Sequence, residues 1–274
     1  AQVTSGSPGI FGGRLSSGIN ELIITHDSTQ IFEISSLIGG AHAVTKSGTG
    51  ALKLSGNNFY TDETEILQGV LQVSGGNAIG DTSTVSLAAN RNTTLQLLAN
   101  ETIGLLQGGR RGTNSDYGTV AIGSHTLTIN ESASTTYAGF FTGDGAIVMN
   151  TGSTGNLQVT NNSAGFTGAV VINGGLLYLN AGGRIAASSI AINKGGNLLL
   201  AKDGTTRTAD QVVDTVAITL NSADGGFSGA TINRPRGLGI RTDQESVNTE
   251  VVGVVTANSG ANYVTLEGTT VNDD

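Results

Sequence analysis

The chain has no cysteine, no tryptophan, one methionine and two prolines in 274 residues, and its aromatic and charged fractions are only 4% and 12%. Each shortage excludes something. Without cysteine there is no disulfide framework of the kind that holds small secreted domains together, although the absence is silent about redox compartment, since large glycine-rich secreted proteins also lack it. Two prolines and no glycine at every third position exclude collagen. Low charge and low proline argue against a disordered chain. With 13 basic against 21 acidic residues, a net charge of −8 and no basic cluster, a nucleic-acid surface is excluded. No apolar run approaches the roughly 18 residues of a membrane helix, and no long alternating strands with aromatic girdles appear, so no membrane insertion of this chain is expected.

What is present is glycine, 42 residues of it, together with Val, Ile, Leu and Thr throughout. The segments "ALKLSG", "EILQG", "LQVSGG", "TVSLAA" and "TLQLLAN" are apolar at alternate positions for three to five residues and then turn. Period two puts Leu52 and Leu54 on one side of a sheet and Lys53 on the other. Gly-Asn and Gly-Gly steps supply the conformations that tight corners need. "TADQVVDTVAITL", Thr208 to Leu220, reads as a loop or short turn entering a strand. A hydrophobic fraction of 37% with few large rings points to many short strands packed in thin layers.

The strongest signal is internal repetition. Shifted by 105, Leu22 falls on Leu127, Ile24 on Ile129, Gly40 on Gly145, Gly50 on Gly155 and Leu52 on Leu157. At a shift of 106, Tyr60 meets Phe166, Ile66 meets Ile172, Gly69 meets Gly175, Leu71 meets Leu177 and Ile79 meets Ile185. Val85 and Leu87 then match Ile190 and Ile192, and Leu95 and Leu97 match Leu198 and Leu200. Core-type residues and glycines match while the polar positions between them differ. This predicts an all-β, right-handed parallel β-helix of stacked short strands, with coils of roughly 20 to 25 residues, about a dozen of them, and a rod of around 60 Å. Corner asparagines such as Asn57, Asn58, Asn161 and Asn162 are expected to hydrogen-bond along the stack. The competing arrangement is a pair of β-sandwich domains, against which the repeat spacing runs on with no linker. The expected division is an N-terminal segment, 1–20, flexible or docking through Ile10 and Phe11; one continuous solenoid, 21–268, containing related units at about 22–97 and 127–200; and an acidic tail, 269–274. The start, "AQVTSG", fits either the remainder of a cleaved signal or an arbitrary fragment end.

The stretch "VTKSGTGALKLSGNNFYTDETEILQGVLQVSGG", Val44 to Gly76, resembles the passenger-associated transport repeat of bacterial autotransporter passengers. The resemblance rests on the Lys-Ser-Gly-Thr-Gly start, the Gly-Asn-Asn corner, the aromatic Tyr60 and the Gly-x-Leu-x-Val close. "ETIGLLQGG" and "GTVAIGSHTLTINESASTTYAGFFTGDGAIVMNTGSTGNLQV" are similar to the segments that link such repeats. In the second copy, Gly152 to Leu179, the lysine is replaced and the corner differs. The resemblance implies a right-handed β-helix, export and an extracellular or cell-surface location, but no translocator barrel stands in this sequence.

Catalytic signals are weak. His26, His42 and His125 sit in or beside strand patterns and do not correspond between copies. "TSGSPG" lacks the aspartate of the Gly-Asp-Ser-Gly nucleophile motif found in protease passengers. "NRPRG", 233–237, carries two arginines, including Arg234, reminiscent of β-helical polysaccharide lyases but without their calcium-binding carboxylates. "RRGTNSDYG", 110–118, is a polar insertion suited to lateral contact with a partner. No calcium nonapeptide and no zinc spacing is present, so no catalytic residue, cofactor or metal is expected, and any ligand-binding residues are unknown. The leading reading is an extracellular structural or display scaffold, not an enzyme, that self-associates end to end into fibres and contacts cell-surface components. The alternative is an adhesin or carbohydrate-active passenger whose activity lies in surface loops.

Overall fold

The computed structural model describes residues 8–16, 18–88, 93–109, 117–180, 182–202, 211–221, 237–242, 252–258 and 262–268. Every regular element among them is a short β-strand, and every strand pair is parallel, as the period-two segments predict. The strands stack into a β-solenoid with three faces. The third face is the spine. Its eleven strands run from Leu22–Thr25 at one end to Val264–Gly268 at the other. At about 4.8 Å per step this spine is about 48 Å long, somewhat under the expected rod. The shortfall arises at the far end, where Leu198 pairs with Leu238 rather than with a residue 20 to 25 positions on.

The other two faces change over partway. The first face is a seven-stranded sheet from Gly9–Ile10 to Phe140–Gly143. It then thins to the pair Asn162–Ser163 and Arg184–Ile185 and to single bridges at Phe166 and Val212. The second face begins with the pair Arg14–Leu15 and Leu37–Ile38. It has no strand at 58–60 or 77–79, and becomes a seven-stranded sheet only from Glu101–Ile103 to Val255–Ala257.

The internal duplication explains the changeover. Leu52 and Leu71 lie on the first face, but their counterparts Leu157 and Leu177 lie on the third. Ile66 and Val85 lie on the third face, and Ile172 and Ile190 on the second. Ile79 belongs to the strandless part of the second face, and Ile185 to the thin part of the first. The second copy is therefore turned by one face about the solenoid axis. Each copy carries two well-paired faces and one irregular face, and rotation moves the irregular face from second to first.

Inward side chains form aliphatic columns. Phe32, Leu52, Leu71, Leu95, Val120 and Phe141 stack on the first face. Leu127, Ile147, Val170, Ile190 and Ile218 stack on the second. From Leu52 and from Leu127 onward these side chains are at most 2% exposed, and each contributes about 1.5–3 kcal/mol by leaving water. A coil this narrow leaves little room for large rings, which accounts for the low aromatic content. Two pairs of shared glycines have direct causes. A Cβ on Gly50 or Gly155 would lie 2.4 Å from the Ser28 oxygen or 1.8 Å from the Ala133 oxygen, so the coils stack there only without a side chain. Gly69 and Gly175 adopt φ of 74° and 69°, a left-handed corner that other residues resist.

Candidate functional site

Chemistry in this fold collects at the corners, where strands end and backbone groups lose their ladder partners. Lys46, from the Lys-Ser-Gly-Thr-Gly motif, pairs in register with Ile24 and Ile66 and is only 1% exposed. Its ammonium donates to the carbonyls of Ser47, Gly48 and Gln68 at 2.7, 2.6 and 3.0 Å. It clamps two successive corners together. Burial pulls its pKa down to about 8, against an opposing pull from the Asp27 charge. Glu101 does the complementary task on the second face, accepting from the Ile79 and Ala78 N–H groups at 2.8 and 3.3 Å where there is no strand to serve them. Glu131 accepts from the Thr135 hydroxyl at 2.6 Å. Desolvation raises both carboxyls to about 7.

Asparagines form the second set of corner contacts. Asn58 spans the strandless part of the second face, accepting from Ile38 N–H at 2.7 Å and donating to the Ala78 carbonyl at 2.6 Å. Asn161 donates to the Ala138 carbonyl at 3.2 Å in the preceding coil, while Asn162 starts a strand. These two match the expectation for corner asparagines. The larger array lies elsewhere: Asn130, Asn150, Asn173, Asn193, Asn221 and Asn258 each end or directly follow a second-face strand and lie along the edge toward the third face. Their sequence signal is the recurring end of a strand in "LTIN", "IVMN", "VVIN", "IAIN", "ITLN" and "VTAN". It escapes a search at fixed spacing because the corners between them vary in length.

The three histidines occupy separate corners. His26 Nε2 lies 2.6 Å from the Gln30 carbonyl, and its ring tilts against Phe32. His42 is 2% exposed and stacks on Tyr60 with centroids 6.4 Å apart. His125 sits in the turn between the strands Thr119–Gly123 and Thr126–Ile129. Among the described residues none of them hydrogen-bonds to a carboxylate. Residues 4–7 of "TSGSPG", 233–236 of "NRPRG" with Arg234, 110–116 of "RRGTNSDYG" and the tail 269–274 lie outside the described residues. Tyr117, at the edge of the polar insertion, packs edge-on against Phe140 at 5.2 Å.

Three concavities are formed by described residues. An apolar mouth of about 340 Å3 opens at the first coil, lined by Leu15, Leu22, Ile24 and Phe32. A groove of about 310 Å3 runs along the strandless second face beside Asn57, Asn77 and Asp81. The largest of the three, about 640 Å3, lies on the asparagine edge between the loop 151–154 and Lys194.

Residues 44–73 match the passenger-associated-transport-repeat family, covering Lys46, Asn58 and Tyr60. Over 195 residues, 69% of the chain, the sequence is 30% identical to the adhesin BmaC autotransporter of Brucella suis biovar 1 (strain 1330). The chain is an autotransporter passenger-type protein. Its place is extracellular or at the cell surface. The passenger spans only 6% of that relative's length, and no solved structure matches it. In this passenger the lysine of the repeat motif is a structural clamp, and the surface left free for contacts is the outside of the faces and corners.

Proposed function

We propose that this passenger is a non-enzymatic adhesive segment, a β-solenoid scaffold over residues 21–268 that presents its corners and loops to components of another cell's surface. The similarity to an autotransporter adhesin over 195 residues carries this reading. The fold supports it physically: a parallel solenoid holds outward side chains in columns at fixed spacing, which suits an extended contact surface. The test is to couple the purified chain to inert beads and count beads held on cultured animal cells. Retention well above that of uncoated beads is expected, and equal retention would remove the adhesive assignment.

A second reading, end-to-end self-association, is favoured by apolar side chains exposed on the first and last described coils. Val264 and Leu266 pair in register with Leu238 and Ile240 on the core side, yet are 52% and 74% exposed. At the other end Leu22 and Ile24 line an open apolar mouth. A heterologous contact between such ends does not close and propagates into a fibre. Sedimentation of the chain should show long oligomers that Leu266→Lys abolishes; a chain that stays monomeric at high concentration contradicts this reading.

A further inference from the structure

The asparagine column on the edge between the second and third faces is broken once. In the regular rungs each side-chain amide donates to the side-chain oxygen of the asparagine one coil earlier: Asn150 to Asn130 at 2.7 Å, Asn193 to Asn173 at 2.6 Å, Asn221 to Asn193 at 2.7 Å and Asn258 to Asn221 at 2.5 Å. No rung joins Asn173 to Asn150. The Asn150 oxygen accepts instead from the Thr151 N–H at 2.8 Å, and Asn173 Nδ2 has no partner among the described residues.

The largest of the three concavities opens at this level. Asn173 and Gly174 form its floor, the loop 151–154 one wall, and Lys194 with Gly195 the other. The floor is fixed in place: a Cβ on Gly174 would lie 2.8 Å from the Asn150 oxygen and 2.9 Å from the Ser153 oxygen. Thr151 stands where the first copy has Lys46, so the lysine clamp that closes the earlier corner is missing here. Lys194 is exposed, and among the described residues it forms no salt bridge, in a chain where acidic residues outnumber basic ones by 21 to 13.

We propose that this cleft binds a carboxylate-bearing sugar, with the carboxylate on the Lys194 ammonium and ring hydroxyls on the Asn173 amide and the hydroxyls of Thr151 and Thr154. One cation beside an amide donor and short hydroxyl side chains matches an acidic sugar ring, which carries one charge and many small polar groups. A volume of about 640 Å3 accommodates one or two rings. The floor at Gly174 is packed against the preceding corner before binding, which lowers the ordering cost. An acidic peptide is the less suitable ligand, because it carries several carboxylates and the lining offers one cation, Lys194.

This assignment names a ligand class for the adhesive reading and rests on it. The test is titration of the isotope-labelled full chain with glucuronate and with N-acetylneuraminate, followed by NMR, with glucose and tetraglutamate as comparison ligands. The acids should shift the Asn173 side-chain amide and the Lys194 signals, with about millimolar affinity. Lys194→Gln should weaken binding about tenfold, while Lys53→Gln on the first face should leave it unchanged. Absence of any shift, glucose binding as tightly, tetraglutamate binding more tightly, or an unaltered affinity in Lys194→Gln would each overturn the proposal. A chain that adheres to cells but binds neither acid removes only the cleft assignment. Acid binding without bead retention removes only the adhesive one.

Discussion

At the scale of single residues, the two copies of the repeat show how a polar pair is exchanged for an apolar one. Tyr60 and Thr64 are fully buried, and their hydroxyls are 2.8 Å apart, with Thr64 also 2.9 Å from the Ser83 hydroxyl. In the second copy the same positions are Phe166 and Val170, both in the core. Thr64→Val alone strands a buried phenol and should cost about 1–3 kcal/mol, whereas the double change Tyr60→Phe with Thr64→Val should cost less than the sum of the single changes. Chemical denaturation of the three variants decides this. The core register gives a second contrast. Leu54→Asp places an unpaired charge at a fully buried site and should cost several kcal/mol. Lys53→Asp exchanges the partly exposed ion pair with Glu33, at 3.1 Å, for two like charges in register and should cost about 1–2 kcal/mol. Equal losses of thermal stability would refute the inward placement of Leu54. The buried glutamates set a pH dependence. Burial lifts Glu101 and Glu131 from 4.5 to about 7, so between these values the folded chain holds more protons than the unfolded one. Their contribution is complete below about pH 4.5 and is lost as pH rises through 7, at most about 3 kcal/mol for each. The urea midpoint should therefore be higher at pH 5 than at pH 8, and Glu131→Gln should flatten the difference.

At the scale of elements, strands and corners were unequally legible. Alternation located "ALKLSG" and "LQVSGG" correctly, as the strands Ala51–Leu54 and Val70–Val73, because period two has one physical meaning when one side is buried. The end of "TADQVVDTVAITL" is likewise a strand, Ala217–Asn221. The corners were harder. Their contacts run between coils, so Asn58 and Asn161 could be picked out by turn chemistry, but the column from Asn130 to Asn258 could not, since its members share a corner rather than a spacing. Lys46 was visible in its motif, but its inward direction was not, because a lysine inside a narrow coil is stable only when three carbonyls happen to converge on its tip. Asn193 is the best test of the column, being both donor to Asn173 and acceptor from Asn221. Asn193→Ala should lower stability by about 1–2 kcal/mol, read from thermal unfolding.

At the scale of the whole molecule, the solenoid is a duplication wound out of phase with its own coil. The matching of Leu22 with Leu127 and Leu71 with Leu177 was readable in the sequence, but the turn by one face was not, because it depends on how many residues each corner consumes. The rotation keeps the third face paired along the full stack while the irregular face passes from second to first, so no strand edge interrupts the spine. It also sets which columns a partner meets on each side. The segment joining the copies decides the matter. Thr102 and Thr128 are register partners on the second face, whereas copies related by whole coils would stack Thr128 beside Gln107 on the third. Because the chain has no cysteine of its own, paired cysteines can be introduced without background. Neighbouring parallel strands lie about 4.8 Å apart, within the reach of a disulfide. Oxidation of the variant Thr102→Cys with Thr128→Cys should form an intramolecular disulfide, and Gln107→Cys with Thr128→Cys should keep two free thiols; closure of the second pair in place of the first would contradict the rotated solenoid.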